Sequence, residues 1–209
     1  MNVCLHCGEY RADKRIDPDG PNAVCPLCGH RHPFRQLPLL VVSGASGAGK
    51  SAVLQRLAGR VDGAVLLDAD ILWRSEFNGP AEGYRGFFET WLRLCKNISQ
   101  SGRPVVLFGA GVGVPANLEA CVERRYLADV HILALVCDDE VLAERLLSRP
   151  EWRRSGDAGF VAEQIRFNQW FRDRGSGTEP AIEVLDTTGT ATEETAGRVA
   201  AWIASRAER

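Results

Sequence analysis

The chain has 209 residues, 45% hydrophobic and 25% charged, which is ordinary for a globular protein and long enough for one mid-sized domain with a small appendage. A net charge of −2 and a pI near 6.1 exclude a global basic footprint for nucleic acid. No apolar run approaches the ~18 residues of a membrane-spanning helix. The N-terminus runs straight into a cysteine pair with no signal-peptide pattern, so a cytoplasmic location is expected.

The first element is a pair of cysteine knuckles. Cys4-x-x-Cys7 and Cys25-x-x-Cys28 have the spacing of a site for Zn²⁺, with a glycine after each pair where the chain must turn tightly. Four thiolates close a tetrahedral sphere, so the expected role is structural. Two disulfides are the rival arrangement, disfavoured by the intracellular character of the remainder of the chain. His6, His30 and His32 are expected at the surface. Residues 9–24 are too polar to build a core, so metal must supply the folding energy. The segment resembles a zinc ribbon. Residues 1–37 are expected to form this ribbon, joined through Pro33 and Pro38 to a second domain, residues 38–209, with its own core.

From residue 39 the chain alternates strands and helices, the pattern of an α/β fold with a parallel sheet. A buried strand over 39–42 leads into Gly44-Ala45-Ser46-Gly47-Ala48-Gly49-Lys50-Ser51, and a helix comes next. This is the phosphate-binding pattern G-x-x-x-x-G-K-[ST] in its proper strand–loop–helix context. Glycines let backbone N–H groups converge on phosphate oxygens, and the helix N-terminus adds positive charge. Lys50 reaches the β- and γ-phosphates, and the Ser51 hydroxyl can hold Mg²⁺. The motif implies binding of a nucleoside triphosphate. A strand over 64–67 ends at Asp68-Ala69-Asp70, two carboxylates at the carboxyl edge of the sheet, where ligands of open parallel sheets bind. One acid suits Mg²⁺, the other an acceptor proton. Then come a helix over 83–99, a strand over 105–108, a glycine-rich turn at Gly109-Ala110-Gly111-Val112-Gly113 and a helix over 116–125. A strand over 130–136 precedes a helix over 138–148, stopped by Pro150 and carrying Arg145 and Arg149 one turn apart. A helix over 157–172, a strand over 182–185 and a last helix opened by a Thr190-x-x-Glu193 capping box complete the chain. Cys95, Cys121 and Cys137 lie singly in apolar stretches and are expected in the core.

The phosphate loop, the Asp68-x-Asp70 pair and Arg145-x-x-x-Arg149, in that order, resemble the small P-loop kinases. These are the nucleoside monophosphate, shikimate and gluconate kinases and the chloramphenicol-phosphotransferase-like proteins. The resemblance implies a five-stranded parallel sheet flanked by helices, an acceptor-binding segment at 71–101 and a lid at 149–175. It makes Lys50, Asp70 and Arg149 catalytic, with Asp70 on the acceptor hydroxyl and Arg149 on the transferring phosphate. Asp68 would support Mg²⁺, and Gly44 through Ser51 would hold ATP. Arg145 would pack on adenine, beside the Asp186-Thr187-Thr188-Gly189 loop. Gly109 and Gly111 would approach the acceptor. Arg153 and Arg154 would add lid charge. The lid carries no metal-binding cysteines, so the N-terminal ribbon is not the lid zinc of some adenylate kinases.

The implied activity is transfer of the γ-phosphoryl group of ATP to a hydroxyl of a small molecule such as a nucleoside or sugar. Only Arg74 and Arg85 are placed to hold an acceptor phosphate, which speaks against a nucleoside monophosphate kinase. Trp73, Phe77, Tyr84, Phe87, Phe88 and Trp91 could stack a flat ring, though most are expected to pack their helix. The alternatives are a nucleotide-dependent adaptor whose ribbon binds RNA or protein, and a polynucleotide-end kinase. Either would draw on Arg11, Lys14, Arg15, Arg31 and Arg35 for a basic surface.

Overall fold

A computed structural model describes residues 2–74, 76, 79–153 and 155–207; Phe77 and Arg154 lie outside the described residues. Near the N-terminus β1 (Arg15–Ile16), β2 (Asn22–Val24) and β3 (Arg31–Pro33) form a small antiparallel sheet in chain order. The main sheet has five parallel strands: β4 (Leu39–Ser43), β5 (Val65–Asp68), β6 (Val105–Phe108), β7 (Val130–Val136) and β8 (Ile182–Asp186). Their order is β5-β6-β4-β7-β8, so β4, which feeds the phosphate loop, lies at the centre. The helices are α1 (Lys50–Leu57), α2 (Arg85–Ser99), α3 (Pro115–Glu119), α4 (Asp139–Leu147), α5 (Ala158–Arg174) and α6 (Thr192–Ala207).

Strand periodicity assigns the layers. Successive strand side chains point to opposite faces, and both faces are apolar because both are covered. Leu39, Val41, Val105, Leu107, Ile132 and Ala134 pack with Phe88, Trp91 and Leu92 of α2, Leu118 of α3 and Phe171 of α5. Leu40, Val42, Val106, Phe108, Leu133 and Leu135 pack with Val53 and Leu57 of α1 and Val199 and Ile203 of α6. Cys95, Cys121 and Cys137 are buried as expected. Among the described residues no helix is long and apolar enough to cross a membrane.

Two helices depart from expectation. The helix expected over 116–125 divides into α3 and a 3₁₀ turn at Val122–Tyr126. The Glu89 carboxylate accepts the N–H groups of Val122 (2.6 Å) and Glu123 (3.1 Å), giving those donors a partner outside a continuous helix. The capping box at Thr190 does not form. α6 opens at Thr192, the Thr190 hydroxyl turns to the Thr188 carbonyl, and Glu193 pairs with Arg60 and Arg56 of the α1 region.

The ribbon packs against the larger part of the chain. Its small apolar cluster, Ala23 and Phe34, is completed by Tyr126 from the larger part of the chain, and the Tyr126 hydroxyl donates to the Ala12 carbonyl at 2.6 Å. Below this cluster Lys96 of α2 pairs with Glu123 and donates to Asn2 Oδ1, with Lys96 and Glu123 both buried. Arg93 donates to the other Glu123 oxygen at 2.9 Å, and Asn2 Nδ2 donates to it at 3.3 Å. Burial pushes the Lys96 ammonium below its ordinary value, with Glu123 opposing. The ribbon therefore docks on the outer side of α2 through a polar network whose parts come from both segments.

Candidate functional site

The site begins where β4 ends. Gly44 adopts φ +136°, and a Cβ there would lie 2.3 Å from the Leu135 carbonyl oxygen, so only glycine lets the loop leave the sheet beside β7. The loop curls into α1, whose first residue is Lys50. Lys50 Nζ arches back over the loop and donates to the carbonyls of Gly44 (2.8 Å) and Ala45 (3.0 Å). Burial lowers its pKa to about 8; Asp70 and Asp68 counter this, and Arg149 adds to it.

β5 delivers the two acids. Asp68 caps a 3₁₀ turn at Ala69–Leu72, its Oδ1 accepting the Asp70 N–H at 2.9 Å. The cap fixes the direction of Asp70. Burial and the nearby Asp68 charge push the Asp70 carboxyl up, against Lys50 and Arg153. α4 presents the arginines. Arg145 donates to the hydroxyl (3.3 Å) and carbonyl (3.1 Å) of Thr187, joining it to the loop after β8. Burial, then Arg153, lowers the Arg149 pKa.

These elements converge on a cavity of about 590 Å³. Ser46, Gly47, Gly49, Lys50, Ser51, Asp70, Arg145 and Arg149 line it, together with Trp152, Arg153, Ser155 and Phe160. Lys50 and three arginines face a single carboxylate, a surplus of positive charge suited to a polyanion. A second hollow of about 230 Å³ adjoins it, lined by Ala48, Gly49, Arg145 and Thr187 among others. Gly44 and Ala45 are buried behind the loop, and Asp68, Gly109 and Gly111 do not line the larger cavity. At Gly109 a Cβ would lie 2.6 Å from that of Ala69, and at Gly111 it would lie 3.3 Å from the Phe88 ring. Protein packing thus already accounts for Gly109.

Of the aromatic set, Phe87, Phe88 and Trp91 are core residues, whereas Trp73 is 53% exposed and rests on Tyr84 and Phe87 with ring centroids 5.3 and 5.4 Å away. Arg74 pairs with Glu76 at 3.6 Å, and Arg85 donates to the Ala120 carbonyl at 3.0 Å. Sequence reading missed Trp152, Ser155, Phe160 and Gln164. Gln164 accepts the Ser46 N–H at 2.8 Å. Trp152 left a signal, a large aromatic among arginines two residues after Pro150.

The knuckles bring Cys4, Cys7, Cys25 and Cys28 together, all four sulfurs within 4.8 Å of one another. Cys4 and Cys28 sulfurs are 3.6 Å apart and those of Cys7 and Cys25 3.8 Å. With Zn–S bonds of about 2.3 Å, tetrahedral thiolates stand about 3.8 Å apart, so the set fits one Zn²⁺. His6 and His30 are exposed as expected, but His32 is buried, its Nε2 lying 3.2 Å from Cys4 Sγ. That contact takes it off the surface.

A family model described as an AAA domain matches residues 39–170. Among solved structures, a sugar kinase from Janibacter sp. in unliganded form superposes with a TM-score of 0.60 at 17% identity, covering 81% of this chain and 95% of that one. A gluconokinase from Sinorhizobium meliloti gives 0.55 at 20% identity, with coverages of 84% and 95%. A shikimate kinase from Acinetobacter baumannii in complex with shikimate gives 0.52 at 22%, with 82% and 96%. At such identities the likeness is one of fold: a kinase-like P-loop fold. No curated protein matches the chain.

Proposed function

We propose, from the premise that this chain belongs to the AAA domain family, that it is an ATP-dependent kinase acting on a hydroxyl of a small molecule. The observation that carries this reading is the convergence of Lys50, Asp70 and Arg149 on one cavity beside the phosphate loop. The loop N–H groups and Lys50 would hold the phosphates, and Arg145 with Thr187 would flank the base. Ser51 and the free oxygen of Asp68 would hold Mg²⁺, which supplies charge neutralisation at the phosphates when bound. Asp70 would orient the acceptor hydroxyl and take its proton as the oxygen bonds to phosphorus and the bond from phosphorus to the ADP oxygen breaks. Its raised pKa suits that task. Lys50 and Arg149 would stabilise the charge on the phosphoryl group in flight. Kinases of sugar, gluconate and shikimate among the structures of like fold support a small alcohol as acceptor. The engagement of Arg74 and Arg85 within the protein argues against an acceptor phosphate.

One observation favours the adaptor as a second reading. Leu5 and Leu27, in the middle of the two knuckles, are 87% and 70% exposed. The partner would be a protein rather than RNA, because Lys14 is buried, Arg11 is held by Asp13, and Arg31 is held by Asp17 at 2.6 Å. The deciding experiment incubates the protein with Mg·ATP and a panel of nucleosides, sugars and amino alcohols, with Lys50→Ala as control. Acceptor-dependent ADP release, lowered about 10²–10³-fold in the variant, is expected. ATP turnover with no acceptor across the panel would move the weight to the adaptor.

A further inference from the structure

One backbone donor of the phosphate loop already has a side-chain partner. Ser46 N–H donates to Gln164 Oε1 at 2.8 Å. Gln164 lies on α5, the helix at the far end of the lid segment, and the helix is pinned. One turn further on, Asn168 is buried and grips the end of β7 with both halves of its amide. Its Oδ1 accepts the Cys137 N–H at 3.2 Å, and its Nδ2 donates to the Cys137 carbonyl at 2.7 Å. Gln169 donates to Asp139 Oδ2 at 2.6 Å, tying the same helix to the start of α4. Phe160, Val161 and Ile165 pack with Ala45, Leu142 and Leu146. Gln164 is thus carried by a helix fixed to the sheet.

An amide committed through its oxygen keeps two N–H donors. Gln164 Nε2 has no partner among the described residues and is not sealed from solvent; Gln164 does not itself line the large cavity, but Ser46, which it holds, does. The polarity of the site says which part of a nucleotide lies there. In the proposed function Arg145 and Thr187, which are hydrogen-bonded to each other, flank the base and so mark the end away from the chemistry. The tip of Lys50 marks the other end, resting on the carbonyls of Gly44 and Ala45, the two residues before Ser46. On the footing that the loop binds a nucleotide, as the proposed kinase function requires, we propose that Gln164 reads the terminal phosphate. Its Oε1 stays on Ser46 N–H and its Nε2 donates to a γ-phosphate oxygen. The protein thereby favours a triphosphate over a diphosphate.

The test is nucleotide affinity, measured by calorimetry with Mg²⁺ and either ADP or the β,γ-imido analogue of ATP. Gln164→Glu keeps the acceptor for Ser46 N–H and replaces the donor with a negative charge. It should weaken the triphosphate analogue about ten- to hundredfold and ADP by less than threefold. Gln164→Met, which lacks both groups, should also lose the discrimination, with melting curves confirming the fold. If the glutamine only shapes the loop, Gln164→Glu behaves as wild type and Gln164→Met weakens both nucleotides equally; either result overturns the proposal. Wild-type protein that binds neither nucleotide would overturn the phosphate-loop reading and this inference together. Wild-type binding with an unchanged triphosphate-to-diphosphate ratio in both variants would overturn this inference alone.

Discussion

The molecule uses lysine and carboxylate in two regions to opposite ends. Under the ribbon, Lys96 and Glu123 are buried together, and Asn2 and Arg93 occupy the remaining positions around the carboxylate. At the phosphate loop, the hydrogen-bond partners of Lys50 among the described residues are backbone carbonyls, while Asp70, Arg145, Arg149 and Arg153 face an open cavity. A closed set of charges fixes two segments to each other. An open set with a surplus of one sign waits for a ligand. The difference lies in what surrounds each charge.

The largest effect is expected in the closed region. Glu123→Ala leaves Lys96 buried without its carboxylate and should cost about 3–5 kcal/mol of stability in denaturant unfolding. Replacing both partners, Lys96→Met with Glu123→Leu, should recover most of that loss, because an apolar pair of similar volume carries no desolvation penalty. With zinc bound at the four cysteines that fit it, chelation under reducing conditions should lower the melting temperature of the whole chain, since Asn2 and the Ala23–Phe34–Tyr126 cluster belong to the same interface. An unmoved main transition would mean that the ribbon contributes nothing to the rest of the fold.

The open region should respond in chemistry rather than in stability. Asp70→Asn keeps the shape and removes the charge. Binding of Mg·ATP should change by no more than about threefold, and transfer to the acceptor should fall by about 10², the lower range for a general base because a loose phosphoryl-transfer transition state asks little of one. If the variant phosphorylates normally, Asp70 has no part in the mechanism. If it melts several degrees lower, Asp70 belongs to the structural set and the contrast between the regions fails.

Sequence legibility split along the same line. All five main strands were readable because buried parallel strands are continuous apolar runs, and each was placed within about one residue at its ends. The phosphate loop and the cysteine knuckles were readable because phosphate and zinc each demand fixed spacings. The docking of the ribbon was not. Lys14, Lys96 and Glu123 carry no periodic signal that separates a buried pair from a solvated face, and their partners lie as far away in sequence as Asn2. His32 is expected at the surface because four cysteines already complete the metal site, yet the knuckle folds it against Cys4. Gln164 escaped because its partner is the backbone of Ser46, and a main-chain donor leaves no mark in the residue alphabet. The break of the helix at residues 116–125 was hidden for a related reason, since Glu89 caps it from another helix.

The smallest expected effect is the finest test of the comparison, because burial lowers both lysines and only one of them has a carboxylate in contact. Lys50 without ligand titrates near 8, mainly through burial. Nucleotide phosphates favour the charged form, so its pKa must rise in the complex. Below pH 8 the ammonium is present before binding and affinity should not depend on it. Above pH 8 binding must take up a proton, and affinity should fall. For ADP without divalent ions the loss between pH 7 and pH 9 should be about tenfold, with proton uptake approaching one per site at the upper end. Lys50→Arg stays charged throughout and should show no such slope. A flat profile in the wild type would return Lys50 to an ordinary lysine. Lys96 is also lowered by burial, but it is paired with Glu123 and does not line the nucleotide cavity, so nucleotide has no charge to add there. Glu123→Ala should therefore leave the pH profile of ADP binding unchanged under conditions where the variant is folded, and a profile that moved with it would show that the two regions share their charge after all.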